Sequence, residues 1–201
     1  MSRPKLISDD ALIQIAQAHF FRDGFRASTT AIALEAGVSE ATLFKRFSTK
    51  MGLFQRAMGL PQCKVMDNAD ERVGKGDVRE QLREIAQEML TFFEELVPRL
   101  AAFSGVPGLN PFELLSQDQA PPPLVILRAL TNYLEAEMDQ GRIKRSDPEV
   151  LARVVMGSLY NFAFFKHLRL FARQPMADER YVRELVDLIW MGVKPPEGGE
   201  G

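Results

Sequence analysis

A chain of 201 residues is long enough to bury a substantial core, as one domain or as two small ones. Its 46% apolar and 26% charged residues exclude wholesale disorder, and a net charge of -2 argues against a general nucleic-acid coat protein. The charge is unevenly spread: residues 1–50 carry seven Lys/Arg against five acids, and the remainder eighteen against twenty-two, which suggests a DNA-facing end and a more acidic one. The lone Cys63 cannot close an intrachain disulfide and reads as a small apolar side chain in a reducing compartment. MSRPKLISDD has no apolar stretch of a secretory signal. Val154 to Phe165, the most apolar run, is too short to span a bilayer and lies between Arg153 and Lys166. A cytoplasmic protein with no membrane partner is expected.

Helical periodicity dominates the chain, so the fold class is all-α. Leu12, Ile15, Ala16, His19 and Phe20 share one face of a helix over Asp9–Arg22, with Ser8 as N-cap and Asp23-Gly24 as its end. Short helices are predicted at Thr29–Ala36 and Glu40–Phe47, then a longer one from Lys50 to about Asn68. Glu71–Asp77, with Gly74 and Gly76, reads as a loop. A helix over Asp77–Val97 turns Leu82, Ile85, Met89, Phe92, Phe93 and Leu96 inward, and Pro98 is expected to interrupt or restart it. Gly105–Pro123 reads as an irregular connection. Pro122 or Pro123 opens a helix to Gln140 that Gly141 caps. Helices over Asp147–Phe171 and Ala177–Val193 follow, and 195–201 is expected to be a disordered tail.

The strongest local signal is TTAIALEAGVSEATLFKRF. Where two short helices cross, a small residue is needed, and Ala33 supplies it. A sharp turn with positive φ follows, which Gly37 adopts without a Cβ clash. Val38 can point to the core, and Ser39 can cap the second helix. Leu43 and Phe47 lie on that helix's buried face, with Ile32 and Leu34 expected to add apolar surface from the first. Glu40, Ala41, Thr42, Lys45 and Arg46 face outward, short or basic and free to meet DNA.

These residues resemble the TetR family of repressors: Gly24-Phe25, Ser28-Thr29-Thr30, Ile32-Ala33, Ala36-Gly37-Val38-Ser39, Thr42-Leu43-Phe44, Phe47, Lys50 and Leu53-Phe54, within roughly residues 8 to 58. The resemblance implies that Thr42 contacts a base or the backbone at the groove entrance. Phe44 stands where the family usually has a tyrosine whose hydroxyl binds phosphate; here it packs or touches a thymine methyl. Lys45 and Arg46 lie where members vary and are the base-reading candidates. Lys50 matches a phosphate-clamping lysine. Ser28 and Thr29 open the preceding helix, where hydroxyl and backbone N–H groups can hold a phosphate, a plain N-cap being the other role for Ser28.

The rest of the chain looks like the family's companion domain. The boundaries expected are a three-helix helix-turn-helix domain over 1–50, a helical ligand-binding and dimerisation domain of about six helices over 51–194, and the tail. The last two helices are apolar nearly all round, which suits a homodimer interface, a monomer core being the alternative. Phe93, Phe103, Met156, Tyr160 and Phe164 can line an apolar pocket with Arg128 to orient a ligand; simple core packing is the competing account.

An enzyme is disfavoured. His19 and His167 stand far apart without zinc-like spacing, and Gly74-Lys75-Gly76 matches no phosphate or dinucleotide loop. No catalytic residue, metal or cofactor is expected. An architectural helical module without an effector is the third class. The reading reached is a ligand-responsive transcriptional regulator: a homodimeric repressor on an inverted-repeat operator in double-stranded DNA, released by a small, largely apolar effector.

Overall fold

The computed structural model describes residues 7–61, 69–103, 110–111, 120–170 and 172–195. Among them the helices are α1 (Asp9–Asp23), α2 (Thr29–Glu35), α3 (Glu40–Phe47), α4 (Lys50–Ala57), α5 (Ala69–Arg72), α6 (Val78–Phe103), α7 (Pro122–Asp139), α8 (Pro148–His167) and α9 (Asp178–Val193), with one 3-10 turn at Gly24–Arg26 and no strand. None of these helices is long and apolar enough to cross a membrane.

Side-chain caps start six of them, each oxygen accepting a backbone N–H that the first turn leaves unpaired. Ser8 caps α1, Ser28 α2, Ser39 α3, Thr49 α4, Asp77 α6 and Asp147 α8. Proline opens α7, where its missing N–H costs nothing. Gly141 follows α7 at φ +70 as its C-terminal punctuation.

Several expected boundaries move. The helix beginning at Lys50 stops at Ala57 rather than near Asn68: Met58 leaves helical geometry at φ -98, ψ 15, and Pro61 cannot donate the next backbone bond. Residues 62–68 lie outside the described residues. Part of the expected Glu71–Asp77 loop is the short α5. Conversely, α6 runs straight through Pro98 to Phe103. Proline costs that helix a backbone bond, but Leu96, Val97, Ala102 and Phe103 beside it are all buried and offset the loss. At the other end of the chain α8 closes at His167 because Arg169 turns left-handed at φ +55. Most of Gly105–Pro123, and 196–201 of the expected tail, lie outside the described residues.

The chain divides into two compact units, Met1–Leu60 with Pro98–Gln119, and Pro61–Val97 with Ala120–Gly201. In the first, α1 supplies Leu12, Ala16 and Phe20, α2 Ile32 and Ala33, α3 Leu43 and Phe47, and α4 Leu53 and Phe54 to one core. α4 therefore belongs with the helices before it rather than with those after residue 50. The Phe54 ring sits at the centre, edge-on to Phe20 at 4.9 Å, Phe25 at 5.1 Å and Phe103 at 4.7 Å.

In the second unit α7 packs on α8, and α8 on α9. The last two helices are antiparallel: Lys144 N–H, just before α8, donates to the Val193 carbonyl at 2.7 Å, while the Tyr181 hydroxyl near the start of α9 donates to the Ser158 carbonyl at 3.0 Å. The turn before α6 is pinned by a buried carboxylate. Glu137 accepts the Gly74 N–H at 3.0 Å and faces the Arg142 Nε at 3.2 Å. Arg142 in turn donates to the Lys75 and Gly76 carbonyls. Burial, and then the Glu137 charge, push the nearby Tyr133 hydroxyl well above its ordinary range.

Asp187 of α9 ties that helix to α6. It accepts from Arg83 Nη2 at 2.7 Å and Arg79 Nε at 3.0 Å, and these bonds, Arg83's first, hold its carboxyl below the usual range. A depressed carboxylate contributes stability that is present above its unfolded-state value and disappears as pH falls through the folded one. Asp187→Asn should therefore lower stability at neutral pH and flatten its decline on the acid side; equal acid limbs in the two proteins' melting curves would refute the assignment.

Candidate nucleic-acid interface

The junction between α2 and α3 follows from local chemistry. Ala33, 2% exposed, and Ala36 let the two helices approach closely. Gly37 at φ +66 reverses the chain, with its N–H on the Leu34 carbonyl at 3.1 Å and that of Val38 on Ala33 at 3.0 Å. Ser39 then accepts the Thr42 N–H at 3.1 Å, and its hydroxyl lies 2.8 Å from that of Thr42. Leu43 and Phe47 are buried behind α3, so its register is locked by packing.

The outward face holds fewer free groups than the sequence suggests. Ala41 and Lys45 are exposed, with Thr42 half-buried between them. Glu40 is not free. It accepts from the Thr29 hydroxyl at 2.5 Å and the Thr30 hydroxyl at 3.2 Å, tying the start of α3 to the start of α2. That carboxylate sits well at a helix N-terminus, where the backbone dipole favours it, and it leaves the Thr29 hydroxyl no proton to offer elsewhere. Ser28, as N-cap, accepts the Ala31 N–H at 3.3 Å from an exposed position.

Arg46 departs furthest from expectation. Its guanidinium donates to the Ile7 carbonyl at 2.7 Å and to Asp9 at 3.1 Å, and the side chain is only 14% exposed. It anchors the start of α1 instead of standing free for a base. Phe44 is half-buried and packs against the core, the first of the two roles expected for it. Lys50 holds its ammonium 5.0 Å from the centre of the Phe25 ring and remains half-buried. Leu34, expected to add core surface, is 81% exposed, because the α2 turn that buries Ile32 and Ala33 points it away.

In sequence terms Thr30 and Asp9 were the missed members. Both are ordinary polar residues whose partners stand on another helix, ten positions from Thr30 and thirty-seven from Asp9. The same holds for His19, a buried α1 residue whose Nε2 meets Glu35 of α2 at 2.7 Å.

The expected ligand-binding residues do not assemble as one set. Phe93 meets Tyr160 edge-on at 5.7 Å, and Tyr160 stacks with Phe164 at 6.1 Å. Met156, on the same helix as these two, is half-buried. Phe103 instead belongs to the core of the first unit, against Phe54. Arg128 is exposed on α7. A cleft not anticipated, about 460 Å³, opens between the end of α8 and the start of α9, among Phe162, Phe165 and Tyr181. Among the described residues no group of His, Cys, Asp and Glu could hold a metal.

Residues 12–57 match the family described as bacterial regulatory proteins, tetR family, and residues 117–190 match the C-terminal domain of AefR-like transcriptional repressors. Similar solved structures include the regulator PfmR from Thermus thermophilus, at 23% identity and TM-score 0.64, covering 93% of this chain and 99% of that one. A TetR-family regulator of Mesorhizobium loti follows at 18% and 0.63, covering 91% and 95%. FadR from Bacillus subtilis, solved with stearoyl-CoA, is similar at 16% and 0.61, covering 89% and 95%. No curated protein matches the chain.

Proposed function

Starting from the fact that this chain belongs to the TetR family of DNA-binding transcriptional regulators, we propose that it is a homodimeric repressor which reads an inverted-repeat operator with α3 and leaves it when a small, largely apolar effector binds. The observation that carries the reading is α3 itself: a helix capped by Ser39, locked from behind by Leu43 and Phe47, and presenting Ala41, Thr42 and Lys45 outward. A helix so held can enter a major groove with its side chains already placed.

Within this reading Lys45 reads bases and Thr42 lies at the groove entrance. Lys50 and the N-terminus of α2, through the Ser28 hydroxyl and the Thr29 backbone N–H, hold the phosphates that set the register. Glu40 keeps α2 and α3 together. Arg46 acts indirectly, by holding Ile7 and Asp9 beside the reading helix. The protein works in the cytoplasm, where its operator is.

Lys45→Ala should cost about 1–3 kcal/mol on the selected operator and relax preference at one position. Lys50→Ala should weaken all sequences alike and flatten the salt dependence. Titrations at several salt concentrations separate the two. Unchanged operator binding in both variants would refute docking through α3.

The dimer is assigned to α8 and α9, where Val150, Val154, Leu188 and Met191 are exposed at the same end of the antiparallel pair. Such apolar exposure on adjacent helices suits a second copy. Two-fold symmetry then gives the operator its inverted repeat.

The effector is placed near Phe93, Met156, Tyr160 and Phe164. The relative solved with stearoyl-CoA supports an apolar ligand. Release requires that the ligand bind the DNA-incompetent state better, and DNA must weaken the ligand by the same factor.

A further inference from the structure

The cleft at the other end of the α8–α9 pair, away from Val150, Val154, Leu188 and Met191, has the makings of a separate ligand site. Its volume of about 460 Å³ falls in the range of small-molecule sites, roughly 300–1,000 Å³. The lining is largely aromatic and apolar, with Phe162, Phe165, Met176 and Tyr181, and it includes the neutral polar Asn161 and Gln174. Phe162 and Tyr181 stack with ring centres 4.0 Å apart and planes 13° from parallel. The Tyr181 hydroxyl is already given to the Ser158 carbonyl, so what Tyr181 offers a ligand is its ring.

Two cations line the cleft, and they differ. Lys166 is neutralised, donating to Glu94 and, at 2.7 Å, to both oxygens of Asp178. The guanidinium of Arg169 has no such partner among the described residues. Its backbone is also unusual. Arg169 follows the cap of α8 at φ +55, with its own N–H on the Lys166 carbonyl at 3.0 Å and that of Leu170 on Phe165 at 3.2 Å. Glycine suits that helix-ending position, and a residue with a Cβ is strained there. The local fold would be easier without the arginine, yet this strained position puts a free, planar cation on the wall of an aromatic cleft. Strain at a ligand-facing residue points to a role in binding.

We propose that this cleft binds an aromatic monocarboxylate, its rings against Phe162, Phe165 and Tyr181 and its carboxylate paired with the Arg169 guanidinium. A single unpaired cation matches a single negative charge. A guanidinium holds a carboxylate through two parallel bonds, while ring–ring contact fits the rest of the lining. The inference goes beyond the effector reading and stands whether or not the bound acid changes DNA affinity.

The test is calorimetry on the full chain with 1-naphthylacetate, beside its uncharged counterpart 1-naphthylacetamide. Saturable binding of the acid is expected, with the amide weaker by about tenfold or more, as loss of a charged hydrogen-bonded pair implies. Arg169→Gly should lose the same factor for the acid while its melting temperature holds or rises, because glycine relieves the left-handed strain. A merely structural arginine would show the opposite pattern. Arg173→Gln, which alters a neighbouring arginine outside the lining, should bind like the parent. The proposal falls if the acid does not saturate, if acid and amide bind alike, or if Arg169→Gly keeps its affinity. Operator titration with the same acid bears on the effector reading alone: binding in the cleft without a change in operator affinity would support this site and not that reading.

Discussion

Leu188→Glu is expected to leave the protein folded but monomeric, with operator affinity reduced by orders of magnitude. Leu188 and Met191 are 65% and 66% exposed on α9, and Val150 and Val154 lie about half exposed on α8 beside them. In water each exposed leucine forgoes roughly 1.5–3 kcal/mol of burial that a second copy would return. A glutamate at this point must instead be stripped of water against a mostly apolar partner, at a cost of several kcal/mol for an uncompensated charge. Two-fold symmetry applies that cost twice per dimer. Operator affinity falls much further than any single contact explains, because the second reading head loses the high effective concentration that the first provides. Exposure protects the monomer's own fold, so Leu188→Glu should melt near the parent's temperature. Sedimentation and operator titration on the two proteins decide the matter. A monomeric parent, or a variant that stays dimeric, would rule out this interface.

Phe54→Ala should cost about 3–5 kcal/mol in the first unit and abolish operator binding. Phe54 is fully buried, and its ring meets three others edge-on, from α1, the 3-10 turn and the end of α6. Truncation to alanine removes the shared partner of all three, and four elements cannot close around the cavity together. Because α3 takes its position from the same core through Leu43 and Phe47, the reading helix loses its backing even in molecules that stay compact. The second unit has a separate core, so hydrogen exchange in α7 and α8 should change little. Parent-like protection in α2 and α3 of the variant would show that Phe54 is not the centre of this core.

These expectations rest on features that sequence legibility treats unequally. The caps at Ser8 and Ser39, the left-handed Gly37 and the inward faces of α1 and α6 could be read from the chain, because each depends on neighbours within one helical turn. Leu43 and Phe47 behind α3 belong to the same class, as does the membership in the TetR family that several such positions jointly signal. What the sequence by itself determined was therefore the all-helical character, the helix-turn-helix and the side of α3 that faces inward.

The tertiary structure alone decided the partners of long polar side chains and the ends of helices that carry no strong local signal. Arg46 reads as a free basic residue on the outer face of α3, yet its reach brings it to Ile7 and Asp9, thirty-nine and thirty-seven positions away. Glu40 finds Thr29 and Thr30 only because Gly37 folds one helix back on the other. Phe103 reads as a pocket residue in the sequence, yet α6 passes through Pro98 and carries it into the first unit's core. The cleft around Arg169 arises from an early end to α8 that no glycine announces. Local sequence specifies backbone geometry because caps and φ preferences act over one turn. Long side chains choose among partners that only the finished packing brings within reach, and there composition and periodicity carry no information.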